Sequence, residues 1–166
     1  MNKILVTLLC WLLPLNVMAM CNYAITKSTP SSRFNIHGDG TVTDKQTGLT
    51  WMRCSIGQTW QGDNCTGNAS NHNWQQALTL AKDHEFAGKN DWRLPNVKEL
   101  ASIVEVSCVT PAINTDIFSN TTDGYLTSSS YARSNSYAWT VYFNGGYVNI
   151  SGTKNYNRVR LVRGGQ

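Results

Sequence analysis

The segment Asn90–Leu100, with the sequence NDWRLPNVKEL, constrains the fold more than any other part of the chain. Pro95 favours an extended conformation for the residue before it, so a helix cannot begin earlier. Asn96 is a good N-cap, and Glu99, three residues later, completes a capping box. Apolar residues then recur at the spacing of one helix face, at Val97, Leu100, Ala101 and Val104. The segment therefore predicts a helix from Asn96 to Val106.

Other patterns predict a second helix and several strands. A helix over Asn73–His84 is indicated by the apolar residues Trp74, Ala77, Leu78 and Ala81, with Gly88 as a stop signal. Residues 33–52 contain two β-branched or aromatic runs around an Asp/Gly turn, which is typical of a hairpin. Residues 137–163 predict an antiparallel meander with a turn at Asn144–Gly146. Strands, helices and strands in this order predict an α+β fold with two helices against an antiparallel sheet.

The N-terminus has the pattern of a secretory signal peptide. Lys3 precedes an apolar run that ends near Leu15, and Val17 and Ala19 supply small or modest residues before a cleavage site. The run is shorter than the about 20 residues of a membrane span. We expect residues 1–19 to be the signal, 20–32 an extended lead-in and 33–166 a single domain. The product is then periplasmic, cell-surface or secreted. Acylation of Cys21, as in a lipoprotein, is the alternative at the cleavage site.

Four cysteines remain after removal of this signal: Cys21, Cys54, Cys65 and Cys108. An even number in an exported chain predicts two disulfides, for which three pairings exist. Cys54 and Cys65 flank a short Gly/Asn/Thr-rich loop, so we predict that they pair and that Cys21 pairs with Cys108. A zinc site is disfavoured because no Cys-x-x-Cys pair is present.

The distribution of charge gives the main functional clue. Without Lys3 the chain has 13 basic and 10 acidic residues, and Asp123 is the last acidic one. Tyrosines interleave the cations that follow. Arginine forks match sulfate and carboxylate groups, so we interpret this region as a site for anionic polysaccharide or glycosaminoglycan. The predicted ligand-binding residues are Arg133, Lys154, Tyr156, Arg158, Arg160 and Arg163, with Trp60 as a stacking residue in the disulfide loop.

Part of this interpretation depends on which side chains point outward. In the meander, Trp139, Val141 and Phe143 lie on one predicted core face, as does Trp74 in the first helix. Near the end of the chain, alternation places Val159 and Leu161 inward and Arg158 and Arg160 outward. The alternative is a solvated basic face, with Arg160 or Arg163 folded back onto acids of the N-terminal half.

Several chemistries lack their motifs. The stretch around Asp39 and Gly40 does not provide the carboxylates of an EF-hand. His37, His72 and His84 share no metal-ligand spacing, and no nucleophile elbow, phosphate loop or zincin helix is present. We therefore expect no catalytic residue, no metal site, no cofactor and no nucleic-acid partner. Glu99 is expected to cap a helix and to pair with Arg93.

The chain resembles the Lcl C-terminal domain family, which is named for a bacterial collagen-like adhesin. The resemblance spans residues 33–163 and rests on the segments Gly40–Asp44, Thr47–Trp51, Cys54, Trp92–Leu100, Pro111–Asn114, Ser128–Ser130 and Val159–Arg163. It implies binding of sulfated glycosaminoglycans in attachment and aggregation. The family often has a Trp at the position of Leu126. A collagen-like stalk is not seen in this sequence, so the resemblance leaves the oligomeric state open.

A weaker resemblance links the chain to the formylglycine-generating enzyme superfamily with its C-type-lectin-like fold. It rests on Arg93–Pro95 with Glu99 and on Val159–Arg163. It implies paired terminal strands and two helices that flank a distorted sheet, but the cysteine pair of the catalytic members is missing after Cys108. Three functions follow: an adhesin-type glycan-binding module, a protein-binding envelope module of a secretion or pilus system, and, least favoured, an enzyme.

Overall fold

The structure is a computed structural model that describes residues 19–164. The predicted signal peptide, apart from Ala19, lies outside the described residues. Within them the chain forms two α-helices, α1 (Trp74–Lys82) and α2 (Val97–Ala101), and eleven strands: β1 (Met20–Cys21), β2 (Phe34–Ile36), β3 (Thr41–Asp44), β4 (Thr50–Met52), β5 (Thr59–Trp60), β6 (Cys65–Thr66), β7 (Cys108–Val109), β8 (Gly124–Ser130), β9 (Tyr137–Tyr142), β10 (Tyr147–Gly152) and β11 (Val162–Arg163). Every ladder between these strands is antiparallel, which confirms the α+β class.

The predicted N-terminal hairpin forms the core of a four-stranded sheet with the order β11-β4-β3-β2. Gly40 has a φ of +85°, a left-handed conformation that suits glycine in the turn before β3. Arg33 Nε donates to the buried Asp44 Oδ1 at 2.7 Å, which ties the start of β2 to the end of β3. Burial alone would raise the pKa of Asp44, but the hydrogen bonds from Arg33 and Thr47 outweigh it and lower that pKa.

Both helices begin where the sequence predicts. Asn96 Oδ1 accepts from Glu99 N at 2.9 Å, and Glu99 Oε2 accepts from Asn96 N at 2.8 Å, so the capping box is confirmed. Glu99 also forms a two-bond ion pair with Arg93, at 2.8 and 2.7 Å. Asn73 and Gln76 make the equivalent box at α1.

The predicted ends of the helices were wrong. Helix α2 ends at Ala101 instead of Val106. Ser102 Oγ donates to Glu99 O at 2.7 Å, and Ile103 and Val104 continue with bonds to the third residue back, which tightens the turn and ends the α-helix. Helix α1 likewise ends at Lys82, two residues before the predicted His84.

A second sheet has three strands in the order β10-β9-β8 and contains most of the predicted meander. After β10 the chain returns along residues 153–157 to the free edge of β8, where Leu126 N donates to Arg158 O at 2.9 Å. The last strand, β11, then joins β4 in the other sheet. Residues 157–161 therefore run between the two sheets.

Two apolar clusters fill the interior. The first joins the four-stranded sheet, α2 and one face of the three-stranded sheet, with Trp51, Leu100 and Val141 fully buried. The second lies under α1 and includes Trp92, Leu94 and Leu126. Trp74 packs against this cluster but is only half-buried, and Trp139 is also half-buried. The core positions predicted for these two residues are therefore only partly confirmed.

Both predicted disulfides are present, Cys21–Cys108 and Cys54–Cys65. The first closes a loop with a sequence separation of 87 residues and pairs β1 with β7. On the chain-entropy model, closing such a loop stabilises the fold by about 4 kcal/mol. The lead-in over 20–32 is less extended than expected, since it ends in a 3-10 turn at Ser31–Arg33.

The lead-in is also held by a buried carboxylate. Glu105 is 1% exposed and accepts hydrogen bonds from Ser28 N, Thr29 N, Thr29 Oγ1, Ser107 N and Ser107 Oγ. Burial alone would raise the pKa of Glu105, but these donors outweigh it and lower that pKa to about 2. This carboxylate, which has no ion pair within residues 19–164, thus joins the lead-in to the segment after α2.

Candidate functional site

Two loops at one end of the three-stranded sheet carry cations, and no acidic residue occurs in these loops or after them in the sequence. They are residues 131–136, between β8 and β9, and residues 153–156, after β10. Thr153 N and Thr153 Oγ1 both donate to Ser136 O, at 2.8 and 3.2 Å, so the loops lie side by side. We call the exposed residues Arg133, Lys154 and Tyr156 of these loops the loop surface.

The side chains of the loop surface are open to solvent. Arg133 and Lys154 are exposed, and within residues 19–164 neither forms an ion pair. Tyr156 is 63% exposed, which leaves most of its ring available. The structure therefore brings together the loops that carry three of the seven residues that the sequence predicts for ligand binding.

Arg158 is neutralised by a nearby acid. Its Nη1 lies 3.2 Å from Asp123 Oδ2, and Asp123 directly precedes β8. The Arg158 side chain is half-buried while Asp123 remains exposed, so the pair lies at the protein surface. Because this pair engages one of the two terminal nitrogens of Arg158, fewer donors remain for an external anion, and Arg158 is a weaker candidate than Arg133.

Arg160 does not point outward, and its predicted place on the surface was wrong. It is 0% exposed. Its Nη1 donates to Met52 O at 2.9 Å and to Arg53 O, and its Nη2 donates to Thr121 Oγ1 at 2.7 Å. Its guanidinium also packs on the rings of Phe118 and Tyr125. Its segment is packed on both faces, because Val159 and Leu161 lie in the cluster under α1 and Arg160 lies against the two rings, so alternation leaves no solvent-facing side.

Arg163 and Trp60 lie apart from the loop surface. Arg163 is on β11, where its Nε donates to Asp91 Oδ1 at 2.7 Å and raises its own pKa through that bond. Trp60 is half-buried, its ring is 4.3 Å from the Arg53 guanidinium, and its Nε1 donates to Gly38 O. A Cβ at Gly40 would come within 2.8 Å of Trp60, so the ring rests against that glycine and has a packing role.

A pocket of about 210 Å³ lies on the outer face of the four-stranded sheet. We call it the threonine pocket, and its lining residues are His37, Asp39, Thr41, Thr43, Thr50, Ala87, Lys89, Trp92 and Arg163. Asn35, Thr43, Thr50 and Arg163 are direct neighbours across the four strands, so they share one face.

Sequence reasoning did not find this pocket. The alternation of Thr41 and Thr43 opposite Thr50 in the predicted hairpin was the available signal, since it indicates a hydroxyl-rich sheet face. Lys89 and Arg163 reach the pocket from distant segments, which no local pattern could indicate. A larger groove of about 550 Å³ lies beside it, between α1 and the segment Trp92–Glu99.

A sequence profile of the Lcl C-terminal domain family matches residues 40–163 of this chain. The chain belongs to this family. A search among curated proteins finds no match. The matched residues include β3, β4 and β11 of the four-stranded sheet, both helices and the three-stranded sheet. The loop surface therefore lies within the matched Lcl C-terminal domain, as does the threonine pocket apart from His37 and Asp39.

Family membership gives a meaning to the departure at Leu126. This residue is 1% exposed in the cluster under α1, beside Val159 and Leu161. A larger aromatic residue at this position would have to fit into the interior. The departure therefore concerns packing of this Lcl C-terminal domain and not the exposed loops.

One polar contact joins a histidine to a serine. Ser70 Oγ lies 2.8 Å from His72 Nε2, and it also lies 3.2 Å from Ile56 O. Burial lowers the pKa of His72. Within residues 19–164 no carboxylate is hydrogen-bonded to this imidazole, so the pair lacks the third group that orients a catalytic histidine. The absence of enzymatic activity stays a prediction.

The described part of the Lcl C-terminal domain holds no group of three or more His, Cys, Asp or Glu side chains arranged for a metal ion. No helix in residues 19–164 is long and apolar enough to cross a membrane. Two disulfides fit an oxidising, extracytoplasmic environment. Together with the family, they fit a disulfide-stabilised binding domain.

Proposed function

We propose that this domain is an exported, non-catalytic binding module of C-type-lectin-like fold that recognises anionic, sulfated glycans in adhesion or aggregation. The observation that supports it best is the loop surface, where two neighbouring loops without acidic residues carry Arg133 and Lys154. Both cations are exposed and have no ion pair among the described residues. They are therefore free to meet an external anion.

The chemistry of the loop surface suits a sulfated sugar chain. A guanidinium presents parallel N–H donors that match two oxygens of a sulfate, and an ammonium adds a point charge. The exposed ring of Tyr156 offers an apolar face beside them. Because the cations are exposed, the attraction is electrostatic and falls as salt screens it. Arg158 contributes less, since Asp123 already holds it, and Arg160 contributes no contact.

The test is elution of the mature chain from immobilised heparin. Arg133→Ala/Lys154→Ala removes two charges of the loop surface, and Lys45→Ala/Lys98→Ala removes two exposed charges elsewhere, which keeps the net charge equal. We expect the first variant to elute at clearly lower salt than the second, because it loses about 1 kcal/mol per cation. The wild type should elute latest.

Two outcomes would reject the proposal. Equal elution of the two variants would mean that only total charge matters, and a wild type that is not retained would mean that the basic loops are a solvated face. Specific capture of an envelope protein, with no dependence of heparin retention on the loops, would favour the protein-binding alternative.

A further inference from the structure

We propose that the threonine pocket binds one uronic acid residue of a glycan, a pyranose that carries a carboxylate beside free hydroxyls. The proposal rests on the proposed function in that anionic glycans would supply such a residue. Its site is separate from the loop surface, however, and no residue of that surface lines it.

The size of the pocket fits one sugar ring. Its volume is about 210 Å³, whereas pockets for drug-sized ligands reach about 300–1,000 Å³. Trp92 and Ala87 provide apolar lining. Trp92 is 3% exposed, and its Nε1 donates to Phe86 O at 3.0 Å, so its ring is held in place. The apolar part of the lining is therefore small and rigid, and it can contact C–H groups of one pyranose.

The sheet supplies a connected row of hydroxyl groups. Thr43 Oγ1 lies 3.0 Å from Thr50 Oγ1 and 2.9 Å from His37 Nε2. Either hydroxyl can donate or accept, so the row can reorient its protons to match sugar hydroxyls. Regular strands hold both threonines, which fixes their spacing before a ligand arrives.

The charges of the pocket point to a ligand with both an anionic group and hydroxyl donors. Asp91 accepts only from Arg163 Nε, and within residues 19–164 the two terminal nitrogens of Arg163 make no hydrogen bond, so they can bind a carboxylate. Lys89 is exposed at the rim. Asp39 uses Oδ1 for Thr41, which leaves Oδ2 to accept from a hydroxyl.

A bare anion would meet the cations but would also be repelled by Asp39 and Asp91. A neutral sugar would satisfy Asp39 and the threonines but would bring no anion to Lys89 and to the terminal nitrogens of Arg163. A uronic acid satisfies both parts of the pocket. This combination distinguishes the threonine pocket from the loop surface, which presents cations and a tyrosine but no carboxylate.

The test is a titration of the isotope-labelled mature chain, followed through its backbone amide resonances. The three probes are methyl β-glucuronide, methyl β-glucoside and sodium sulfate. We expect the glucuronide to shift the amides of the pocket strands, the glucoside to bind about tenfold more weakly for want of the charged pair, and sulfate to leave these amides unchanged. Thr50→Val should lower the affinity for the glucuronide about fivefold, because it removes one hydroxyl. The matched control, Thr59→Val, changes an exposed strand threonine outside the pocket and should have no effect.

Each other outcome overturns the proposal. If sulfate shifts the pocket amide resonances as much as the glucuronide does, the pocket is an anion site without sugar recognition. If the glucuronide does not shift these resonances, the pocket is not a binding site. Equal affinities of Thr50→Val and Thr59→Val would remove the role of the hydroxyl row. Because the amides report residue by residue, pocket shifts combined with a lack of heparin retention would reject the loop surface alone, and the reverse would reject the pocket alone.

Discussion

Charged side chains have opposite surroundings in the interior of this domain and on its loop surface. Inside, Arg160 and Glu105 are 0% and 1% exposed, and within the described residues neither has an ion pair. Backbone carbonyls and hydroxyls accept from the terminal nitrogens of the arginine, and backbone amides and hydroxyls donate to the glutamate. On the loop surface, Arg133 and Lys154 are exposed and form no ion pair among the described residues. A count of charges along the chain cannot separate the two cases, because the partners of the interior charges are uncharged groups.

The largest effect should come from Arg160→Met, which keeps bulk but removes the donors. Met52 O, Arg53 O and Thr121 Oγ1 would lose their partner in the interior. Each orphaned buried group costs about 1–3 kcal/mol, so we expect the free energy of unfolding in urea to fall by about 4 kcal/mol. The same change at Arg133 is the control, with an effect within about 0.5 kcal/mol. Equal destabilisation by the two variants would abolish the contrast between interior and surface.

The second largest effect should come from Glu105, the buried anion that corresponds to the buried cation Arg160. The pKa of Glu105 in the folded state is about 2, below the about 4.3 of an unfolded glutamate. Its contribution to stability, about 3 kcal/mol, is therefore complete above pH 4.3 or so and is lost as the pH falls towards 2. Glu105→Gln should remove this contribution at neutral pH and flatten the acid side of the stability profile. A variant that keeps the slope of the wild type between pH 5 and 2 would assign that slope to other carboxylates, such as Asp44.

The smallest effect should come from the pair that lies between these extremes. Asp123→Asn breaks the ion pair with Arg158 at the surface, and asparagine tolerates the positive φ of 63° at this position. Exposed pairs contribute about 0–1 kcal/mol, so thermal unfolding should change little and the change should disappear at high salt. If Asp123→Asn lowered the stability of the fold as much as Arg160→Met does, the charge of Arg158 would behave like the interior charges.

Local features of this fold were predictable because they depend on neighbours in the chain. The capping box of Asn96 and Glu99 needs only a spacing of three residues, and the hairpin around Gly40 needs one turn signal. The disulfide pairing followed from loop length in the sequence. The end of α2 was missed, since a single hydroxyl at Ser102 decides it.

The candidate sites were less predictable because they depend on how distant sheets, helices and loops pack against each other. Alternation about Val159 assigns outward and inward sides, but this segment is packed on both faces. Val159 lies in the cluster under α1 and Arg160 lies against Phe118 and Tyr125, so both are fully buried. The loop residues Arg133 and Lys154 were predicted to bind ligand, and the structure shows that they are exposed. The threonine pocket combines a hairpin face with Lys89 and Arg163, and only the folded chain brings these together.

The bond between Cys21 and Cys108 also sets how the domain would respond to pulling. Tension applied at Cys21 and at Gly164 would pass through the sulfur atoms straight to Cys108. The intervening segment, which contains β2 to β6 and both helices, would therefore carry none of it along the backbone. Full extension would then release roughly 200 Å of chain instead of roughly 500 Å, at about 3.5 Å per residue. The domain would act as a short tether with most of its length locked, and reduction of one bond would more than double its reach.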